Sequence, residues 1–228
     1  MIRTLLISTL LGTLLTALFW TKLWQGGGFI GGDTYTYFLP QKAFFADRLQ
    51  AGEFPLWNFL AGHGYPLIGE SQTAALYPLN PLLYSALDLN TAYVASHLLH
   101  YILAFVGCWL LSERLGLNRW GALLAAVVYV YGWFPPRACL EWAIIGGAYL
   151  PLSLWCLEGW FQTHRRRHGV GLALLMALDL LAGHYNLAFI TVVALGIYAV
   201  VRATRPLGSD IDRSSHSADR VPQIQRSS

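Results

Sequence analysis

The chain has 228 residues, 55% of them hydrophobic and only 12% charged, with a net charge of +3. Soluble domains run about 45–50% apolar and about 25% charged, so this chain has too few charges to clothe a globule and reads as an integral membrane protein. The small positive charge gives no reason to expect a nucleic-acid partner. Cys108, Cys139 and Cys156 show neither CxxC nor zinc-site spacing, so neither a disulfide framework nor a cysteine metal centre is expected.

The first element is an apolar run from Leu5 to Trp24, preceded by Arg3. Twenty residues at about 1.5 Å each span about 30 Å, the thickness of a hydrocarbon core. The run is longer than a signal-peptide core and no small-x-small cleavage site follows, so it reads as a retained first span with its amino end inside. Then comes GGGFIGGDTYTYFLPQ, where Gly31 and Gly32 turn the chain out of the bilayer and leave Asp33 ahead of Thr34, Tyr35 and Tyr37.

Residues 25–89 break the hydrophobic pattern and form a loop rich in acids: Asp33, Asp47, Glu53, Glu70 and Asp88 against Lys42 and Arg48. Pro40 in a first turn and Gly52 as a cap predict a short helix over 40–51. Phe44, Phe45 and Leu49 give that helix an apolar side suited to lying along the membrane surface. EFPLWN and GHGYPLIGESQ, with Pro66, Pro78 and Pro81 nearby, read as irregular structure.

Further apolar runs fall at 91–111, 120–134, 142–161, 170–182 and 187–201, the 170–202 stretch holding either two spans or one broken helix. With the amino end inside, eight arginines (Arg3, Arg114, Arg119, Arg165, Arg166, Arg167, Arg202 and Arg205) sit on inner segments. Only Lys22, Lys42, Arg48 and Arg137 sit on outer ones. The positive-inside rule supports that orientation, and HRRRH at 164–168 reads as a solvated cytoplasmic turn. The expected fold is all-α: a polytopic transmembrane helical bundle of about six spans over residues 1–202, with a partly helical first outer loop. Residues 203–228 are polar and serine-rich and read as a disordered tail.

Asp33 is the first candidate for chemistry, since a carboxylate beside low-dielectric lipid suits general-base work; it also reads simply as a polar residue ending a helix. His63, Glu70 and Gln72 have the chemistry to orient a polar substrate, but no HExxH-like spacing suggests a metal, and no cofactor is expected. Trp57 and Asn58 are suited to stacking on and hydrogen-bonding a sugar ring, or to anchoring the loop at the interface. Arg137 either pairs with Glu141 four residues on or holds a phosphate. His184, in AGHYN, is a turn residue or a substrate contact, and Asp179, about one turn deeper, must face a cavity or the outer interface.

Together these loop motifs resemble the YfhO-like family of bacterial membrane proteins. The resembling elements are Asp33 before an aromatic-rich helix; Gly52, Pro55, Trp57 and Asn58; Gly64 and Pro66; and Tyr77 and Pro78. In AGHYN, Gly183 and His184 match that family's G-H-P-Q turn, while Tyr185 and Asn186 depart from it. The family is similar to polytopic glycosyltransferases of the GT-C class, which use sugars linked to lipid phosphates. The resemblance implies a multi-pass protein of the bacterial inner membrane that takes a sugar from a polyprenyl-phosphate donor, with Asp33 as the base. It also implies a longer protein with more spans, so the chain reads as a truncated member, its activity then in question. The alternatives from other classes are a transporter-like protein and a non-catalytic remnant or assembly subunit of the membrane; membrane lipids are expected partners in each reading.

Overall fold

The computed structural model describes residues 2–28, 33–133 and 141–204. Gly31, Gly32, Cys139, Arg137 and the tail from 205 onward lie outside the described residues, as does the Glu141 side chain.

Over the described residues every apolar run is mainly helical, and the all-α expectation holds. Helix α1 (Ile2–Phe19) is followed by a separate turn of helix, α2 (Thr21–Trp24), so the first run is broken at Trp20. The centre of the molecule is α5 (Leu89–Arg114), packed against α1, α6 (Arg119–Val127), α7 (Glu141–Gly147) and α8 (Tyr149–Thr163). Asp88 starts α5 by accepting the Thr91 N–H at 3.0 Å, and Asn118 starts α6 by accepting from Gly121 at 2.9 Å. Gly12 lets α1 and α5 approach: a Cβ there would meet the Phe105 ring at 2.9 Å. Helix α6 widens into a π-helical turn over Val128–Trp133, and the fourth run is two helices, α7 and α8, parted at Ala148. Helices α9 (Arg166–Leu181) and α10 (Tyr185–Thr204) complete the bundle, α10 running two residues into the stretch expected as tail.

Among the described residues, three helices are long and apolar enough to cross a membrane: α1, α5 and α10. Their burial separates them, with 61% of the strongest apolar stretch of α5 buried against 17% in α1 and in α10. Helix α5 is therefore the internal post, while α1 and α10 turn long apolar faces outward, as lipid-facing helices do. Helices α8 and α9, at 15 and 16 residues, are shorter than the roughly 20 that a perpendicular crossing needs.

Residues 33–88 fold into a cap over one end of the bundle. A π-helical turn (Thr34–Phe38) leads into α3 (Leu39–Gln50), with Pro40 in its first turn and Gly52 at φ +80° after its end, as the sequence predicts. The apolar side of α3 does not lie on a membrane surface. Phe44 and Phe45 are buried against Leu67, Ala75, Tyr84 and Ala92, with Leu49 packed alongside, because the rest of the loop folds back over them. The stretch expected to be irregular contains a small antiparallel hairpin, β1 (Trp57–Asn58) paired with β2 (Tyr65–Pro66). Gly64, at φ +84°, lies directly under the Trp57 indole, which a Cβ would strike. Short 3-10 turns at Leu67–Gly69 and Ser71–Thr73 and helix α4 (Leu79–Ala86) return the chain to α5.

Candidate functional site

Between α3 and the hairpin the cap encloses a cavity of about 540 Å³. Helical spacing builds one wall: Gln41, Phe44 and Asp47 recur every three residues along one face of α3, with Pro40 from its first turn and Thr36 and Tyr37 from the π-helical turn before it. Asn58, Leu60, Ala61 and Tyr65 of the hairpin form the other wall, and Glu70 closes the site between them.

A polar network holds these walls in register. Glu70 Oε1 accepts from the Tyr37 phenol at 3.0 Å, and its Oε2 accepts the Thr73 backbone N–H at 2.7 Å, capping the turn that follows. The Thr73 hydroxyl stands 2.6 Å from Gln41 Oε1 and 3.1 Å from Glu70 Oε2; it has one proton, which these two acceptors share. Asn58 is buried: its Oδ1 accepts the Leu60 N–H at 2.9 Å and its Nδ2 donates to the Tyr65 oxygen at 3.3 Å, fixing the hairpin tip. Lys42 points away from the cavity. Its ammonium is buried behind the wall, donating to the Thr73 carbonyl at 2.8 Å and lying 5.6 Å from the centre of the Tyr84 ring. Burial raises the Tyr37 and Tyr65 phenols above their ordinary range; the Glu70 charge adds to both, while hydrogen bonds from Gln41 and Asn58 oppose it. Both phenols are thus kept neutral, Tyr37 donating to Glu70 and Tyr65 accepting from Asn58.

Of the residues singled out in the sequence, Asn58 and Glu70 meet in this cavity. Trp57 is half exposed and packs on Gly64, outside the lining, and His63 is exposed at the hairpin tip. Gln72 presents its carbonyl to the turn between α9 and α10: a Cβ on Gly183, which has φ +120°, would stand 3.4 Å from that oxygen and 3.3 Å from Ala74 Cβ. His184 sits on the same turn, half buried, its ring stacked on Tyr185 at 5.7 Å. Burial lowers the His184 pKa, and the Glu70 charge works against that lowering, so the AGHYN turn and the cavity carboxylate are electrostatic neighbours. Asp33 is exposed at the head of the π-helical turn, where its backbone carbonyl accepts from Tyr37 and Phe38 at 2.8 and 3.0 Å. It is one turn before Thr36 and Tyr37 and does not itself line the cavity.

Gln41, Asp47, Tyr37 and Tyr65 were not singled out as site residues. The i, i+3, i+6 spacing of Gln41, Phe44 and Asp47 was the available signal. A second polar group lies inside the bundle, where the sequence reading expected little. The Tyr77 hydroxyl bridges His100 Nε2, at 2.8 Å, and the Tyr149 hydroxyl. His100 Nδ1 faces the Ser96 carbonyl at 2.6 Å, and His97 Nδ1 faces that of Tyr93 at 2.7 Å. A carbonyl only accepts, so each Nδ1 carries a proton, and in the neutral ring His100 Nε2 accepts from Tyr77. Asp179 is buried on α9, with Oδ1 3.3 Å from where a Gly146 Cβ would be. Among the described residues no three His, Cys, Asp or Glu side chains are grouped to hold a metal ion.

Compared with known proteins, the chain matches no family model, no curated protein and no solved structure. The likeness to YfhO-like proteins therefore rests on the loop motifs alone.

Proposed function

We propose that the chain is a membrane-embedded glycosyltransferase-like protein whose cap faces away from the cytosol and receives the sugar of a polyprenyl-phosphate donor. The observation that carries this reading is the cap cavity. Its aromatic rings, neutral phenols, buried amides and carboxylates suit a ligand rich in hydroxyl groups. In this reading the six apolar runs all cross or enter the inner membrane and the amino end is cytoplasmic. Arg114, Arg202 and the Arg165–Arg167 run at the far end of the bundle agree with that orientation.

The transfer is a substitution at the anomeric carbon. The acceptor oxygen attacks that carbon, Asp33 takes the proton of the acceptor hydroxyl, and the lipid phosphate leaves with the electrons of the broken C–O bond. Asp33 suits this step because it is exposed one turn from Thr36 and Tyr37 on the cavity wall. Membranes containing the full chain, given a radiolabelled undecaprenyl-phosphate sugar, should transfer label, and Asp33→Asn should slow transfer about a hundredfold or more. Equal rates would remove Asp33 from the mechanism. Thiol labelling from outside intact cells should reach a cysteine placed at His63 and not one placed at Arg166.

A transporter-like reading is favoured by one observation, the burial of His97, His100 and Asp179 within the bundle, because ionisable groups at that depth often mark a path for protons or solutes. Proton-driven sugar uptake into proteoliposomes with no covalent transfer would select it.

A further inference from the structure

We propose that the cap cavity binds a positively charged group, a primary ammonium carried on a sugar or on a lipid head group. The two basic residues of α3 are both engaged by other groups, and neither lines the cavity. Lys42 is tied to the Thr73 carbonyl behind the wall. Arg48 lies over the Phe44 and Phe59 rings, 5.5 and 4.8 Å from their centres, and pairs with Glu53 at 3.0 Å. What remains facing the cavity is Asp47 and Glu70, with no basic side chain among the described lining residues.

The donors on Glu70 are all neutral, so they leave its negative charge in place. A phosphate or carboxylate entering here would meet like charge without an arginine or lysine to receive it. An ammonium group would meet two carboxylates, and its three N–H donors match the oxygens of Asp47, Glu70 and Tyr65. The rings of Phe44 and Tyr37 line the same space and give it an apolar side against which a sugar ring can pack. A cavity of about 540 Å³ holds such a group together with a hexose ring, and lies within the usual range for small-molecule sites. In the transfer reading, on which only the choice of a sugar carrier rests, the ammonium belongs to an amino sugar and the lipid phosphate stays outside this cavity.

Thermal stabilisation of the full chain in lipid nanodiscs tests this at about pH 6.5, where an ordinary amine is protonated. Glucosamine should bind at least about tenfold more tightly than glucose or N-acetylglucosamine, which share its ring but lack the charge. Asp47→Asn, at an exposed position, should abolish the preference while leaving the unliganded midpoint unchanged. Stabilisation by phosphatidylethanolamine over phosphatidylglycerol, without any response to glucosamine, would assign the ammonium to a lipid head group. Equal affinity for all three sugars with no effect of phosphatidylethanolamine, or an undiminished preference in Asp47→Asn, overturns the proposal. Failure of transfer with the amine preference intact would sink only the transferase reading.

Discussion

Two carboxylates at opposite ends of the bundle each draw three hydrogen bonds, and they teach different things. Glu158 on α8 accepts from Gln162 at 2.8 Å, from the Tyr198 hydroxyl at 2.8 Å and from Arg202 at 3.1 Å. It is almost fully buried, at 3% exposure, and its charge is matched by a guanidinium. Glu70 in the cap is only partly buried, receives neutral donors and borders a cavity. A buried charge with a charged partner ties helices together, here α8 to α10. A carboxylate held in place by neutral groups keeps its field for something else. The arginine end joins two helices, and the cap end, in the reading proposed above, meets a ligand.

Removing one partner of the buried pair is the sharpest way to break that contrast. Glu158→Gln removes the buried charge that faces the Arg202 guanidinium and should destabilise the chain by about 3 kcal/mol, read as a lowered unfolding midpoint in detergent. Glu70→Gln keeps its one acceptor oxygen for the Thr73 N–H and turns its amide NH2 to the Tyr37 hydroxyl, which can accept, so it should lower stability by about 1 kcal/mol while weakening ammonium binding. Comparable losses from the two variants would make Glu70 a structural residue like Glu158 and dissolve the distinction.

The next effect concerns the join between the two regions. Gly183 has φ +120°, and a side chain there would press on Ala74 and on the carbonyls of Ser71 and Gln72. Gly183→Ala should therefore cost about 1–3 kcal/mol, and the cost should appear as faster hydrogen exchange over 71–74. Exchange confined to 182–185, with the cap unchanged, would show that the α9–α10 turn does not hold the cap.

The same contrast explains what was legible in the sequence. The bundle was, because each run long enough to be helical announces itself by unbroken hydrophobicity, and Asp88, Pro40 and Gly52 mark starts and ends through local chemistry. The break at Ala148 had a local sign that was passed over, Gly146 and Gly147 before it and Pro151 after it, whereas the widened turn after Val127 carries none comparable. In the cap, the hairpin strands are two residues each, too short for alternation to register. The apolar side of α3 was visible, but what covers it comes from Leu67, Tyr84 and Ala92, distant in sequence. Likewise Asn58 and Glu70 were singled out for their chemistry, whereas their meeting with Asp47 and Tyr37 depends on the folded loop. His97 and His100 stood in an apolar run, three residues apart, and that spacing was the overlooked sign of a shared buried face.

The smallest effect is a pH dependence at the join. Burial holds the His184 pKa below its ordinary 6.5, with the Glu70 charge pulling the other way. The unfolded chain takes up a proton near 6.5 while the folded chain resists it, so acid favours the unfolded side. The contribution of this turn is whole above about pH 6.5, weakens as pH falls below it, and stops changing once the folded imidazole also protonates. Unfolding midpoints of the wild type and His184→Gln, compared between about pH 8 and about pH 5, isolate this part, since all other titrating groups are common to both. The wild type should lose more on acidification than the variant. Parallel curves would mean that no protonation at His184 reaches the cap, leaving Gly183 packing as what fastens the cap to the bundle.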